Sequence, residues 1–249
     1  MLSIKVTKNI FTDVKIIMIK ISHTELNILN DNFGKFQQKI KKQTKQPNTS
    51  FFISQIAQFE KQYKKAGLER SFAQNLFVFA QQMRKLGINE FPGMIFSHLS
   101  KMPFLKPHVK EHYARTALEF AREQGDSIHI LARLVDLEKI YIQNGDKYKQ
   151  TGILFAEEKV LTDICTNYKN AKNKYKTHSR RISPLNRYEM ELAKTRVDIA
   201  KVVMKNNPRQ AKILLDKAQK IFQRENRTKE VDFVNLMLSE LQEKGDGTI

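Results

Sequence analysis

Apolar residues from position 51 onward recur at alternating steps of three and four. Ile56, Phe59 and Tyr63 show this spacing, which places side chains on one face of a helix. Polar residues fill the intervening positions, as on a helix with one buried face. The successive stripes cover residues 53–63, 72–83, 113–121, 131–141, 155–164, 197–203, 214–222 and 231–241. The pattern predicts an all-α protein of about eight helices joined by short turns.

Proline and glycine fall where the stripes begin and end. Pro107, Pro184 and Pro208 suit a first helical position, where a missing N–H costs nothing. Ser183 and Asn207 precede two of them and are residue types that cap helices. Glycines suited to helix ends stand at Gly67, Gly87, Gly125 and Gly145. Residues 91–107 contain three prolines, so only a short helix at residues 94–101 is predicted there.

Residues 1–50 lack this regular pattern. The run from Ile10 to Ile21 is apolar, but Asp13, Lys15 and Lys20 interrupt it, so it fits neither a membrane span nor a signal peptide. Translation from Met18 is an alternative to translation from Met1, and it would leave out residues 1–17. Residues 35–50 are rich in lysine and predict a polar linker. We therefore expect a basic, poorly ordered extension at 1–50, a helical domain at 51–244, and a tail at 245–249.

The helical part contains an internal repeat. A shift of 78 positions aligns Glu60, Lys61, Tyr63 and Gly67 with a second set of the same residues at Glu138, Lys139, Tyr141 and Gly145. Without a gap, Leu76-Phe77 then falls on Leu154-Phe155. A looser third copy covers residues 199–218. One helix, a glycine turn and a second helix thus recur in this chain.

These repeats resemble the tetratricopeptide family. Leu134, Leu137 and Tyr141 look like its first-helix signature, although Glu138 stands where the family prefers glycine. The second-helix signature is matched by Ala73, Phe77 and Ala80 and less well by Thr151, Phe155 and Glu158. The family's tryptophan is absent, and the spacing exceeds the usual ~34 residues. The resemblance implies an α-solenoid of antiparallel helix pairs with a concave surface. The alternative is an irregular helical bundle.

Composition narrows the class of protein. Among 249 residues there is one cysteine, which excludes a disulfide framework and a cysteine-based zinc finger and predicts the reducing cytoplasm. Nine glycines form no phosphate-binding loop, and we expect no cofactor. The formal net charge of +18 attracts any polyanion, whether nucleic acid, anionic lipid or acidic protein. An ordinary solvated lysine-rich surface explains the same charge.

Three lysines are candidate partner contacts. Lys61, Lys139 and Lys201 each stand two residues after an apolar anchor of their repeat. In the tetratricopeptide family, first helices line the groove, and some groove lysines hold carboxylates of bound peptides. An ammonium and a carboxylate in a partly enclosed groove form charge-assisted hydrogen bonds. The alternative is that these lysines lie on solvated helix faces.

A second basic group is typical of nucleic-acid binding. Its cations could neutralise phosphates, and the nearby Tyr168 and Tyr175 could stack on bases. The cations are Lys169, Lys172, Lys174, Lys176, Arg180 and Arg181. No recognition motif accompanies them, so a solvated helix end is the competing interpretation.

Two further features are of residue types found in enzyme active sites. His108, Glu111 and His112 match H-x-x-E-H, in which two histidines one turn apart bind zinc and the glutamate acts as base. A further ligand would be needed, for which Glu189 or Glu191 is a nominal candidate. Helix-surface residues explain the motif equally. Cys165 lies on an apolar stripe without an activating partner, which predicts a core residue.

The sequence thus favours a non-enzymatic interaction scaffold that binds a protein or peptide partner, an acidic one if the lysines act. The alternatives are a nucleic-acid-associated protein and, more distantly, a zinc hydrolase.

Overall fold

The computed structural model describes residues 23–42, 48–175 and 184–246, which form helices and short connections without a strand. The chain divides into two compact units, residues 1–75 and 76–249, and the boundary falls inside one helix. The helices are α1 (His23–Lys42), α2 (Thr49–Lys65), α3 (Glu69–Lys85), α4 (Glu90–Ser100), α5 (Pro107–Gln124), α6 (Ser127–Asn144), α7 (Lys147–Tyr175), α8 (Pro184–Val203), α9 (Pro208–Arg224) and α10 (Thr228–Asp246).

Aromatic packing forms the core of the first unit. Phe33 of α1 meets Phe59 of α2 edge to face, with ring centroids 5.1 Å apart. Tyr63 of α2 stacks on Phe72 of α3 at 5.1 Å. All four rings are buried, and such ring pairs add to the free energy gained by removing apolar area from water.

This unit corrects the expectation for residues 1–50. Residues 23–42 are the helix α1, so the linker interpretation is wrong for residues 35–42. Phe33, Phe36 and Ile40 follow a three-and-four spacing and are buried, which the many lysines around them obscured. The expected boundary at residue 50 falls inside α2, whereas the compact units divide at residue 75. Residues 1–22, including Met18, lie outside the described residues.

In the second unit, each helix packs mainly against the helices before and after it in the chain, from α4 through α10. Apart from residues 176–183, which lie outside the described residues, the connections are short, so the helices that they join are antiparallel. Gly125 and Gly145 end α5 and α6 with φ of 70° and 68°, a left-handed conformation that side chains disfavour. The prediction of an all-α fold is confirmed for the described residues. The serial packing within the second unit is the arrangement expected of stacked helix pairs rather than of an irregular bundle.

Helix α4 is longer than predicted. It begins at Glu90 rather than residue 94, with Pro92 in its first turn. A first-turn proline breaks no hydrogen bond, because the first backbone N–H groups have no partner within the helix. Phe91 and Ile95 are buried and anchor the added turn in the core.

The internal repeat is visible in two equivalent tyrosines. Tyr63 is fully buried, and its hydroxyl donates to Asn30 of the preceding helix α1 at 2.8 Å. Tyr141, 78 positions later, is also buried and donates to Glu111 of the preceding helix α5 at 3.1 Å. Helices α1 and α5 are therefore equivalent in the repeat, because each supplies the hydrogen-bond acceptor for the buried tyrosine of the next helix.

Asp126 caps α6, and its removal is expected to cost stability. The Asp126 carboxylate accepts from the backbone N–H groups of Ile128 at 2.8 Å and His129 at 3.1 Å. Asp126→Ala should lower the free energy of unfolding by about 1 kcal/mol, because both donors lose their partner. Urea unfolding measures the change. Asp126→Ser should recover most of the loss, and an equal loss in both variants would contradict a capping role.

None of the described helices is long and apolar enough to cross a bilayer.

Candidate functional site

A groove runs between α8 and α10, with α9 as its floor. Val197 of α8 and Phe222 of α9 form the buried floor, and Phe233 of α10 stands at the side with 45% of its surface exposed. The cavity has a volume of about 300 Å³. Its charged rim consists of Lys194, Asp198, Lys201, Lys229 and Glu230. We call this set of eight residues the α8–α10 groove.

Lys201 is the central cation of the groove. Its ammonium lies 5.2 Å from the ring centroid of Phe233 and 2.9 Å from an Asp198 carboxylate oxygen. Lys201 and Asp198 are both half exposed, so their ion pair contributes little stability and exchanges readily for another partner. The groove therefore combines an aromatic wall with a cation that a ligand carboxylate can reach.

Of the three predicted partner lysines, only Lys201 lines a described cavity. Lys139 is exposed on α6 of the second unit, and Lys61 is exposed on α2 of the first unit. Neither holds an ion pair within the described part of the chain. That the three lysines act together on one partner stays a prediction.

The basic group at residues 169–181 is only partly described. Lys169 lies on α7 and pairs with Glu189 of α8 at 2.8 Å, while Tyr168 stacks on Tyr188 at 5.8 Å. Both side chains thus have partners inside the second unit, and their use for phosphates and bases stays a prediction. Lys172 and Lys174 belong to α7, but their side chains are outside the described residues, as are Lys176, Arg180 and Arg181 in full.

The H-x-x-E-H motif forms the first turns of α5 but gathers no metal site. His108 and His112 are exposed on this helix. Glu111 accepts hydrogen bonds from Arg115, Tyr141 and Lys149 instead of facing a metal. Within residues 23–42, 48–175 and 184–246, no three potential ligating side chains come together. The motif therefore reflects helix-surface residues and a structural carboxylate.

The sequence did not predict that two carboxyl groups, those of Glu157 and Glu189, are buried. Glu189, the nominal zinc ligand, is buried on α8 and bonds Lys169 of α7 and Arg224 of α9, the latter at 2.5 Å. Glu157 of α7 is 4% exposed, and its Oε1 has no hydrogen-bond partner. The sequence signal for the burial of Glu157 is its position within the apolar stripe at residues 155–164.

The electrostatic surroundings of Glu157 favour its neutral form. The pKa of Glu157 is raised to about 8, mainly because the side chain is buried. The negative charges of Glu138, Asp198 and Glu191 raise it further. Glu138 belongs to α6 and the other two acids to α8, the helices that pack on either side of α7.

The prediction that Cys165 is a core residue is confirmed. Its thiol is buried in a cluster with Leu161, Leu185 and Leu192. Burial, more than any neighbouring charge, raises the pKa of the Cys165 thiol, which makes the nucleophilic thiolate scarce.

No family model and no curated protein matches the sequence. Among solved structures, the chain is similar to a kinesin light chain from Podospora anserina with nearly identical TPR-like repeats, at 14% identity and a TM-score of 0.38 over 82% of this chain and 100% of that one. It is also similar to a circular tandem repeat protein, at 12% identity and a TM-score of 0.29 over 88% and 55% of the two chains. The apo quorum sensor NprR from B. thuringiensis aligns at 13% identity and a TM-score of 0.29 over 86% and 79%.

Proposed function

We propose that this protein is a non-enzymatic interaction scaffold that binds an extended segment of a protein partner in the α8–α10 groove. The observation that carries the proposal is the exposed ring of Phe233 beside the ammonium of Lys201 above a buried apolar floor. Aromatic side chains are enriched in protein-binding surfaces, which supports a role of the exposed Phe233 ring in binding a partner. The free thiol of Cys165 supports the reducing cytoplasm as the compartment.

The composition of the rim indicates the chemistry of the partner. Lys194, Lys201 and Lys229 outnumber the two acids Asp198 and Glu230, and the whole chain carries +18. A partner segment with carboxylates therefore approaches favourably and replaces Asp198 at Lys201. A partner aromatic or aliphatic side chain covers the floor next to Phe233. Lys61 and Lys139 remain proposed additional contacts, because both are exposed cations.

We expect a random peptide library displayed on phage to yield acidic peptides with an aromatic or aliphatic residue. Lys201→Glu should weaken binding of a selected peptide at least tenfold, because it places a carboxylate where the partner carboxylate binds. Phe233→Ala should weaken it by a similar factor, because it removes the groove wall. Affinities are measured by fluorescence polarisation with a labelled peptide.

The matched control is Lys212→Glu, which makes the same charge change at an exposed site on α9 outside the groove. It should leave the affinity within about twofold, apart from the small long-range effect of two charge units. Peptides that bind Lys201→Glu and Phe233→Ala as well as the unaltered protein would refute the groove, as would a library that yields no enriched sequence.

A further inference from the structure

A second and larger cavity lies elsewhere in the second unit. It has a volume of about 610 Å³ and is bounded by α5, the end of α6, the first half of α7 and the end of α8. Ile153 and Phe155 of α7 and Val202 and Val203 of α8 supply its apolar surface. Cavities of this size accommodate small organic ligands. We call it the Tyr141 cavity, after the buried tyrosine that lines it.

The charged lining of the Tyr141 cavity is entirely positive. Among the described residues that line it, Arg115 and Lys149 carry charge and none is acidic. Both cations lie against the ring of Tyr141, at 5.8 Å and 5.5 Å from its centroid. The charged side chains that a ligand would contact in this cavity are therefore both cations.

Acidic neighbours outside the lining hold both cations in place. Glu111 accepts from Arg115 Nε at 3.0 Å and from Lys149 Nζ at 3.2 Å, and Asp146 lies 3.3 Å from the same ammonium. Burial raises the pKa of Glu111, but the hydrogen bonds from Arg115, Lys149 and Tyr141 outweigh it, so its pKa is lowered and it stays ionised. These bonds restrict the two half-exposed cations before any ligand arrives.

Arg115 keeps donors available. Its bond to Glu111 uses Nε, so its two terminal amino groups can donate to another carboxylate. On the α8 side of the cavity lie Asn206 and Asn207, and Asn207 is held because it caps α9 by accepting from the N–H of Gln210 at 3.0 Å. The cavity thus has an anion-binding wall, an apolar surface and a polar edge.

We propose that the Tyr141 cavity binds an amphipathic organic acid, a single carboxylate joined to an apolar chain or ring. The carboxylate accepts from the terminal amino groups of Arg115, beside the ammonium of Lys149, and the apolar body lies against Phe155, Val202 and Val203. This site is separate from the α8–α10 groove and does not depend on the function proposed for that groove. A free carboxylic acid of medium chain length and the C-terminal residue of a polypeptide share this chemistry.

Gly152 offers a way to fill the cavity without disturbing the fold. It lies on α7 in the lining, and a Cβ added there would meet nothing within 4 Å. Its helical backbone accepts any side chain, and replacing a helical glycine usually stabilises the helix. Gly152→Leu should therefore occupy the site from inside while the protein keeps or gains thermal stability.

The test uses the full chain and isothermal titration calorimetry with four probes. Decanoate is compared with decanol, and an acetylated tripeptide ending in leucine with a free carboxylate is compared with its C-terminal amide. We expect at least one carboxylate to bind, at least tenfold more tightly than its neutral counterpart. Gly152→Leu should abolish this binding with an unchanged or higher melting temperature. Arg115→Gln should weaken it at least tenfold.

Arg122→Gln is the matched control, because Arg122 is an exposed cation of the same helix outside the cavity, and it should bind as the unaltered protein does. Binding of decanoate alone identifies a small-molecule acid, and binding of the peptide identifies a protein C-terminus. Failure of both carboxylates to bind overturns the proposal. Equal binding of the neutral probes, or binding that survives Gly152→Leu, overturns it as well.

Discussion

Glu157→Gln is expected to stabilise the protein, by an amount that grows as the pH rises. Glu157 is buried, lacks a hydrogen-bond partner for Oε1 and has a pKa raised to about 8 from its usual 4.5. The folded protein therefore holds a proton that the unfolded chain releases above pH 4.5. The contribution of Glu157 to the free energy of unfolding is therefore fully present below pH 4.5. It is lost as the pH rises towards 8 and changes no further above 8.

Glutamine has no proton to lose and keeps the neutral side chain at every pH. Each pH unit above 4.5 corresponds to about 1.4 kcal/mol until the folded-state pKa is reached. The free energy of unfolding of the variant should thus exceed that of the unaltered protein by less than about 1 kcal/mol at pH 5, about 3 kcal/mol at pH 7 and about 5 kcal/mol at pH 9. Other titrating groups are common to both proteins and cancel in the difference.

Urea unfolding of both proteins between pH 5 and pH 9 measures this difference. Glu158→Gln is the control, because Glu158 is the next residue and pairs with Arg196 at 2.9 Å. Loss of the Glu158–Arg196 ion pair should lower the free energy of unfolding rather than raise it. A Glu157→Gln gain that is the same at pH 5 and pH 9, or a loss at pH 9, would show that Glu157 is ionised in the folded protein.

Glu189→Gln is expected to destabilise the protein substantially. Glu189 lies on α8, and its side chain is 5% exposed. It forms ion pairs with Lys169 of α7 and Arg224 of α9. Breaking a buried ion pair is costly because the remaining charges lose their partner. Here Lys169 and Arg224 are half exposed and recover some hydration. We therefore expect a loss of about 2–3 kcal/mol, below the usual range for fully buried pairs.

Glu191→Gln provides the comparison, since Glu191 lies two residues away on α8 and also pairs with a lysine, Lys194 at 3.2 Å. Because that pair is exposed at both ends, the change should be within about 0.5 kcal/mol. Chemical denaturation at pH 7 measures both variants. Equal small losses in the two variants would mean that burial adds nothing to the Glu189 interactions.

The helical architecture could be predicted because its signals are local. The three-and-four spacing of apolar residues and the glycines at helix ends require no knowledge of distant contacts, and they located α2, α3 and α5–α10. Helix α1 was missed because lysines surround Phe33, Phe36 and Ile40, so composition suggested a linker. The start of α4 was missed because Pro92 was taken as a break, although a first-turn proline is compatible with a helix.

The sites were less predictable, because they join residues far apart in the chain. Lys201 was identified from the repeat, but its neighbour Phe233 was not, since their contact depends on how α8 and α10 pack. Phe233 stands outside the apolar stripe of α10, which is a signal of an exposed aromatic. The link between Glu111 and Lys149 spans 38 positions, and the H-x-x-E-H pattern pointed to metal chemistry instead.

The paired tyrosines of the repeat have a spectroscopic consequence. The chain has no tryptophan, so its near-ultraviolet absorbance comes mainly from tyrosine, and Tyr63 and Tyr141 place one buried phenol in each compact unit. Burial raises the pKa of both hydroxyls. In an alkaline titration, the tyrosinate absorbance of each residue therefore develops later than that of an exposed phenol and requires its own unit to open. The absorbance of Tyr63 therefore reports on the opening of the first unit, and that of Tyr141 on the opening of the second.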